Sequence, residues 1–154
     1  MPMPRPSDEH VRLQALQGDW IGTETHHPSP WSPTSHRSTA RFRMRMIVDG
    51  FFLTNDYQEE RDGTVVFRGH GVYGWDPRRR CYTMYWVDSM GSVPADTTGS
   101  FEGDRLVFTN RSEHGHGRYT YTLRGPDALA FTLESSGDGA QWTLLMDGEY
   151  RREG

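Results

Sequence analysis

Arg41, Arg43 and Arg45 alternate with Phe42, Met44 and Met46. This period of two is that of a strand with one face in water and the other packed. The packed parity runs back through Ala40 and Ser38 to His36, so the spacing predicts a strand over 36–48 with His36 facing inward at one end. Asp49-Gly50 marks a hairpin turn. The return strand over 51–60 carries Leu53, Asn55 and Tyr57 on one face, and Arg61-Asp62-Gly63 turns the chain again. Upstream, over 19–27, the same alternation puts Trp20, Gly22, Glu24 and His26 on a shared face.

Residues 69–91 predict a longer hairpin around the turn Asp76-Pro77-Arg78-Arg79-Arg80. Proline fixes φ there, and an aspartate bonds back to nearby amides. With Trp75 opposite Cys81, Val72 pairs with Met84, His70 with Trp86 and Arg68 with Asp88 along one face. That face joins an apolar end to a polar, aromatic one, as a pocket wall does. A slip of one residue would exchange the two faces.

The remaining segments are short and evenly spaced. Residues 97–101, 105–110, 118–123, 128–134 and 141–151 read as strands separated by turns such as Glu102-Gly103-Asp104 and Gly125-Pro126-Asp127. Ser7 caps a short helix that carries Asp8 and Glu9 in its first turn and ends at Gly18. The pattern therefore predicts an all-β fold: an up-and-down antiparallel barrel of about ten strands, lipocalin- or calycin-like, with a short N-terminal helix, and a sandwich as the second choice. Residues 1–6 are read as a disordered, proline-rich start and 7–152 as one barrel domain. The segment Pro28-Ser29-Pro30-Trp31-Ser32-Pro33 cannot be a central strand. It reads as an ordered loop anchored by Trp31, either a lid or a connector on the rim.

Composition narrows the function classes. The chain has 154 residues, 17 glycines and a net charge of −4, so no nucleic-acid partner is expected. Arg78-Arg79-Arg80 is read as a solvated turn. One cysteine, Cys81, excludes an internal disulfide and a cysteine-based zinc site. No apolar run approaches a membrane span or a secretory leader, which makes the cytoplasm the simplest location. No second helix follows a glycine-rich loop, so a Rossmann-type nucleotide is not expected. A homodimer is left open.

Several segments together resemble a family. Leu16-Gln17-Gly18-Asp19-Trp20-Ile21-Gly22 resembles the Gly-x-Trp signature at the first strand of lipocalin-like proteins. Val48-Asp49-Gly50-Phe51-Phe52-Leu53, Gly71-Val72-Tyr73-Gly74-Trp75-Asp76, Tyr85-Trp86-Val87-Asp88-Ser89 and Glu149-Tyr150-Arg151-Arg152 follow in order. Together they resemble a bacterial "domain of unknown function" family of single-domain calycin-like barrels, over about residues 13–152. The resemblance implies a ten-stranded barrel with an internal cavity, and it implies no activity. The chain is also distantly similar to the haem-binding nitrobindin group, but no position matches that group's haem ligand.

The candidate chemistry is a small-molecule site in the lumen. Met84, Trp86 and Trp31 would supply apolar contacts, and Asn55, Tyr57 and Arg68 polar ones. An enzyme in the same cavity is the alternative. His70 with Asp88 would carry acid–base work of the isomerase or cyclase type. His26, His36 and His70 would instead hold Zn²⁺, Fe²⁺ or Cu²⁺, with Glu24 or Asp88 completing the set. The bland reading of Arg68 and Asp88 is a cross-strand ion pair, and that of isolated strand histidines is a hydrogen-bonded wall. Haem with a histidine ligand is the third hypothesis.

Overall fold

A computed structural model describes residues Met1–Gly154. Ten strands close into an antiparallel barrel: β1 (Gly18–His26), β2 (His36–Ile47), β3 (Phe52–Arg61), β4 (Thr64–Asp76), β5 (Cys81–Asp88), β6 (Thr97–Glu102), β7 (Arg105–Ser112), β8 (Gly115–Leu123), β9 (Ala128–Ser136) and β10 (Thr143–Arg152). Each strand pairs with its neighbour in sequence, and β1 closes the ring against β10. This is the up-and-down barrel that the turn spacing predicts. Burial in β2 alternates as expected, with Ser38, Ala40, Phe42 and Met44 inside and the arginines outside.

The N-terminal segment seals one end. Helix α1 (Asp8–Arg12) is followed by a 3-10 turn over Leu13–Leu16, and both Leu13 and Leu16 are fully buried. Five residues cannot hold a helix unaided; tertiary contacts do it here. The Tyr82 hydroxyl donates to the Glu9 carbonyl at 2.6 Å, and Arg12 donates to the Gly103 carbonyl at 2.8 Å. The Trp20 indole donates to the Leu16 carbonyl at 3.0 Å, and the Arg152 guanidinium lies 4.4 Å over the same ring. Arg152 also donates to the carbonyls of Gln17 and Ala15. Trp20 and Arg152 are cross-strand partners, so the first and last strands are locked at the sealed end. Above this plug, Trp20, Met44, Leu53, Leu106, Phe108 and Leu129 form a floor with almost no exposed surface.

The central hairpin pairs one residue away from the expected register. Asp76 lies opposite Cys81, Trp75 opposite Tyr82, Tyr73 opposite Met84, Gly71 opposite Trp86 and His70 opposite Val87. The cause is the turn. Arg80 takes a left-handed conformation at φ 54°, which leaves a four-residue turn over 77–80. The Asp76 carboxylate does accept from the amides of Arg78 and Arg79, at 2.9 and 3.2 Å. With this register Tyr73, Gly71 and Gly69 share the inward face with Met84 and Trp86, and His70 and Arg68 turn to the outside.

The Trp86 indole lies across β4. A Cβ built on Gly69 would sit 2.6 Å from Trp86 Cη2 and 2.9 Å from Cε2, so a residue without a side chain is required there. Near the opposite end β5 pairs with β6 only over Tyr82–Met84, and residues 89–96 connect the two strands. No helix is long and apolar enough to cross a membrane.

Candidate functional site: a half-polar cavity in the barrel lumen

The unsealed half of the barrel holds a cavity of about 280 Å³. Phe67, Trp86, Phe131, Leu133 and Met146 give it an apolar wall. Glu24, His26, Asn55, Tyr57 and Glu59 give it a polar one, carried by β1 and β3. A wider hollow of about 560 Å³ lies on the outer wall beside Arg41, Arg43, Asp56 and Arg68, among charged surface side chains in contact with water.

Glu24 is the centre of the polar wall. It is fully buried, accepts from the Tyr57 hydroxyl on one oxygen, and accepts from the Tyr150 hydroxyl on the other at 2.6 Å. Its cross-strand partner is Gly148. A Cβ there would meet Tyr150 Cζ at 2.6 Å and Glu24 Cγ at 3.1 Å, so the bare backbone makes room for the pair. Burial raises the Glu24 carboxyl above its ordinary value. The bonds from Tyr150 and Tyr57 pull it back only in part, and the nearby Glu59 pushes it up again. Burial and the Glu24 carboxylate likewise push both tyrosines up, keeping them protonated donors. Deeper in, the Asn55 amide donates to the Tyr73 hydroxyl at 3.3 Å, which shares a 2.6 Å hydrogen bond with Tyr121. The Asn55 Oδ1 is buried and has no partner.

A second cluster stands at the mouth. His26 and His36 are cross-strand partners with rings stacked at 4.4 Å and 10° apart. His26 Nε2 lies 2.8 Å from Glu59 Oε1 and 3.3 Å from Ser38 Oγ. Burial acts to raise the Glu59 carboxyl, but the bonds from His26 and Ser38 outweigh it and hold the group below its ordinary value. Burial and the neighbouring His26 hold the His36 imidazole low.

The expected site residues divide into two groups. Asn55, Tyr57, Met84 and Trp86 line the cavity. Arg68 projects from the outer face, and Trp31 is 75% exposed on its loop. The expected His70–Asp88 couple does not assemble. His70 bonds Asp56 at 2.7 Å on the outside, and Asp88 accepts from the Trp86 indole at 2.9 Å. The bland alternative, an Arg68–Asp88 ion pair, does not form either, because Asp88 sits opposite Gly69. His26 and His36 do meet, but Glu59 occupies the place expected for His70. Glu59 belongs to no motif in the sequence, and Tyr150 stands there only within the closing segment Glu149-Tyr150-Arg151-Arg152. Glu59 continues the inward parity of Leu53, Asn55 and Tyr57 by one step, and that is the signal that marks it.

The family described as "Protein of unknown function (DUF1579)" matches residues 5–152. The chain belongs to that family. No curated protein matches this DUF1579 sequence. Among solved structures, the DUF1579 barrel is similar to Rv2717c from M. tuberculosis, at 18% identity and a TM-score of 0.74, covering 96% of this chain and 99% of that one. It is similar to the S-type phycobiliprotein lyase CPES from Guillardia theta, at 10% identity and a TM-score of 0.66, over 97% and 99% of the two chains. It is also similar to a mutant of the fluorescent protein UnaG, at 12% identity and a TM-score of 0.60, over 92% and 99%. At these identities the likeness is one of fold.

Proposed function

We propose that the DUF1579 barrel binds a compact, partly apolar molecule in its lumen. The observation that carries this reading is the two-sided cavity: an aromatic and aliphatic wall facing a buried carboxyl, two tyrosines and an amide. The unpartnered Asn55 Oδ1 supports it. A buried acceptor without a donor is unfavourable by about 1–3 kcal/mol. A ligand whose N–H or O–H group reaches Asn55 Oδ1 relieves that penalty. The volume of about 280 Å³ lies at the lower edge of the roughly 300–1,000 Å³ typical of ligand pockets. It favours one or two rings over a macrocycle as large as haem. The phycobiliprotein lyase and the fluorescent protein lend support at the level of fold.

The test is titration with an apolar fluorescent dye bearing an amine, alongside native mass spectrometry of gently purified protein. One bound molecule per chain is expected. Leu133→Trp, which fills the cavity, should abolish binding, whereas Val66→Trp on the exposed outer wall should leave it intact. Dye binding that survives Leu133→Trp in a folded barrel would refute a luminal site.

A second reading, acid–base turnover in the same cavity, draws on the raised Glu24 carboxyl. It moves the proton-transfer role from His70 and Asp88 to Glu24. Glu24→Gln should then preserve ligand binding and stop ligand conversion, as read by mass spectrometry.

A further inference from the structure

We infer that His26, His36 and Glu59 form a binding site for one divalent transition-metal ion at the mouth of the barrel. The three side chains come from three adjacent strands, β1, β2 and β3, and their ligand atoms all lie within 4.8 Å of one another. Bonds of about 2.0–2.2 Å to nitrogen and oxygen bring such atoms closer together than that, so small side-chain rotations gather all three around one ion.

The donor set selects the class of metal. Two imidazoles and one carboxylate suit Zn²⁺, Fe²⁺ or Co²⁺. Calcium and magnesium prefer oxygen-only shells. The site is partly shielded: Glu59 is 6% exposed, and His26 and Glu59 also line the lumen cavity. Three protein ligands leave positions open on that side, so a bound ion would present a vacant coordination site to a molecule in the lumen. Ser38, itself buried, lies 3.3 Å from the same His26 nitrogen that faces Glu59.

The cross-strand pairing of His26 with His36 supplies the positioning. The two residues stand at either end of the proline-rich connection between β1 and β2, and the ladder fixes their backbones opposite each other. The competing role for Glu59 is a simple ion pair with His26 that ties β1 to β3 over the inner face of β2.

Metal binding can be measured without any organic ligand, so this inference stands apart from the proposed luminal function. The experiment uses untagged full-length protein stripped with chelator, then titrated with Co²⁺ and followed by visible absorption, with Zn²⁺ competition and elemental analysis. One Co²⁺ per chain is expected. His36→Ala and Glu59→Gln should each weaken it by tenfold or more. His70→Ala, on the outer wall, should change nothing. Zn²⁺ should raise the melting temperature of the parent protein and of His70→Ala but not that of His36→Ala, which keeps the conclusion readable if Glu59→Gln folds poorly. Absence of Co²⁺ binding to the parent, or equal binding by parent and His36→Ala, would overturn the site and leave the ion pair as the role of Glu59.

Discussion

Gly69→Ala tests the arrangement of the cavity wall through a single methyl group. Gly69 faces inward beneath the Trp86 indole, and the added Cβ would lie 2.6 Å from Cη2 and 2.9 Å from Cε2. Carbon–carbon contacts settle at about 3.5–4.0 Å, so the ring must retreat by roughly 1 Å or more. The indole is not free to do so, because its nitrogen is bonded to Asp88 at 2.9 Å and its ring packs edge-on to Tyr57 at 5.8 Å. Overpacking of this kind costs about 1–3 kcal/mol, against a gain of about 0.5–1 kcal/mol from replacing a strand glycine. The difference spans about 0–2.5 kcal/mol, and because the ring is tethered the overpacking lies toward its upper end, giving an expected loss of about 1–2 kcal/mol. In urea, with a slope near 2 kcal/mol/M, the unfolding midpoint should fall by about 0.5–1 M. In a Trp86→Leu background the same change should become neutral or stabilising, a coupling of about 1 kcal/mol or more. An unchanged or raised midpoint in the parent background would refute the reasoning. That is the outcome expected if Gly69 faced outward beside Val87, where a methyl group meets water.

Two further predictions concern the polar wall and the seal. Burial lifts the folded carboxyl of Glu24 above its ordinary value, so the folded protein holds that proton more tightly than the unfolded chain does. Its contribution to stability is complete below about pH 4.5 and is lost as the pH rises through the folded value. Urea titrations across pH 4–8 should therefore show Glu24→Gln gaining on the parent as the pH rises, and a difference independent of pH would contradict the raised carboxyl. Arg152→Ala removes the cation over Trp20 and two charged hydrogen bonds to carbonyls of the N-terminal segment. Chemical unfolding should show a loss of about 2–3 kcal/mol, and a loss under about 0.5 kcal/mol would mean that the seal does not depend on this residue.

The faces of β1, β2 and β3 are legible from sequence because each strand alternates over many residues without interruption. His26 and His36 could be placed at one mouth on that basis, and the structure stacks them there. The β4–β5 hairpin is different. Its register depends on one backbone torsion, the left-handed Arg80, and arginine carries no composition signal for that conformation. One residue of slip sends His70 outside and brings Tyr73 in. The paired glycines at 69 and 71 hold the missing information, since alternate bare positions mark the face that a large ring crosses. Glu59 is harder to read. It stands in the polar run Gln58-Glu59-Glu60-Arg61, where no apolar neighbour marks which parity faces inward. The hydroxyls of Tyr57 and Tyr150 meet on one carboxylate only because the ring closes β1 against β10, a contact between residues 126 positions apart for Glu24 and Tyr150.

The plug and its floor, described above as a seal, also divide the molecule's tolerance to change along its axis. Leu13, Leu16, Trp20 and Phe108 are wholly buried at one end, and any truncation there weakens the whole barrel. The residues that give the cavity its chemistry stand at the other end, on strands already held by backbone ladders. Phe67, Phe131 or Leu133 can therefore be exchanged for side chains of other shapes while folding is secured from below. A barrel organised in this way is free to change what it accepts without first solving the problem of staying folded, and descendants of one sequence can diverge in ligand while sharing one frame.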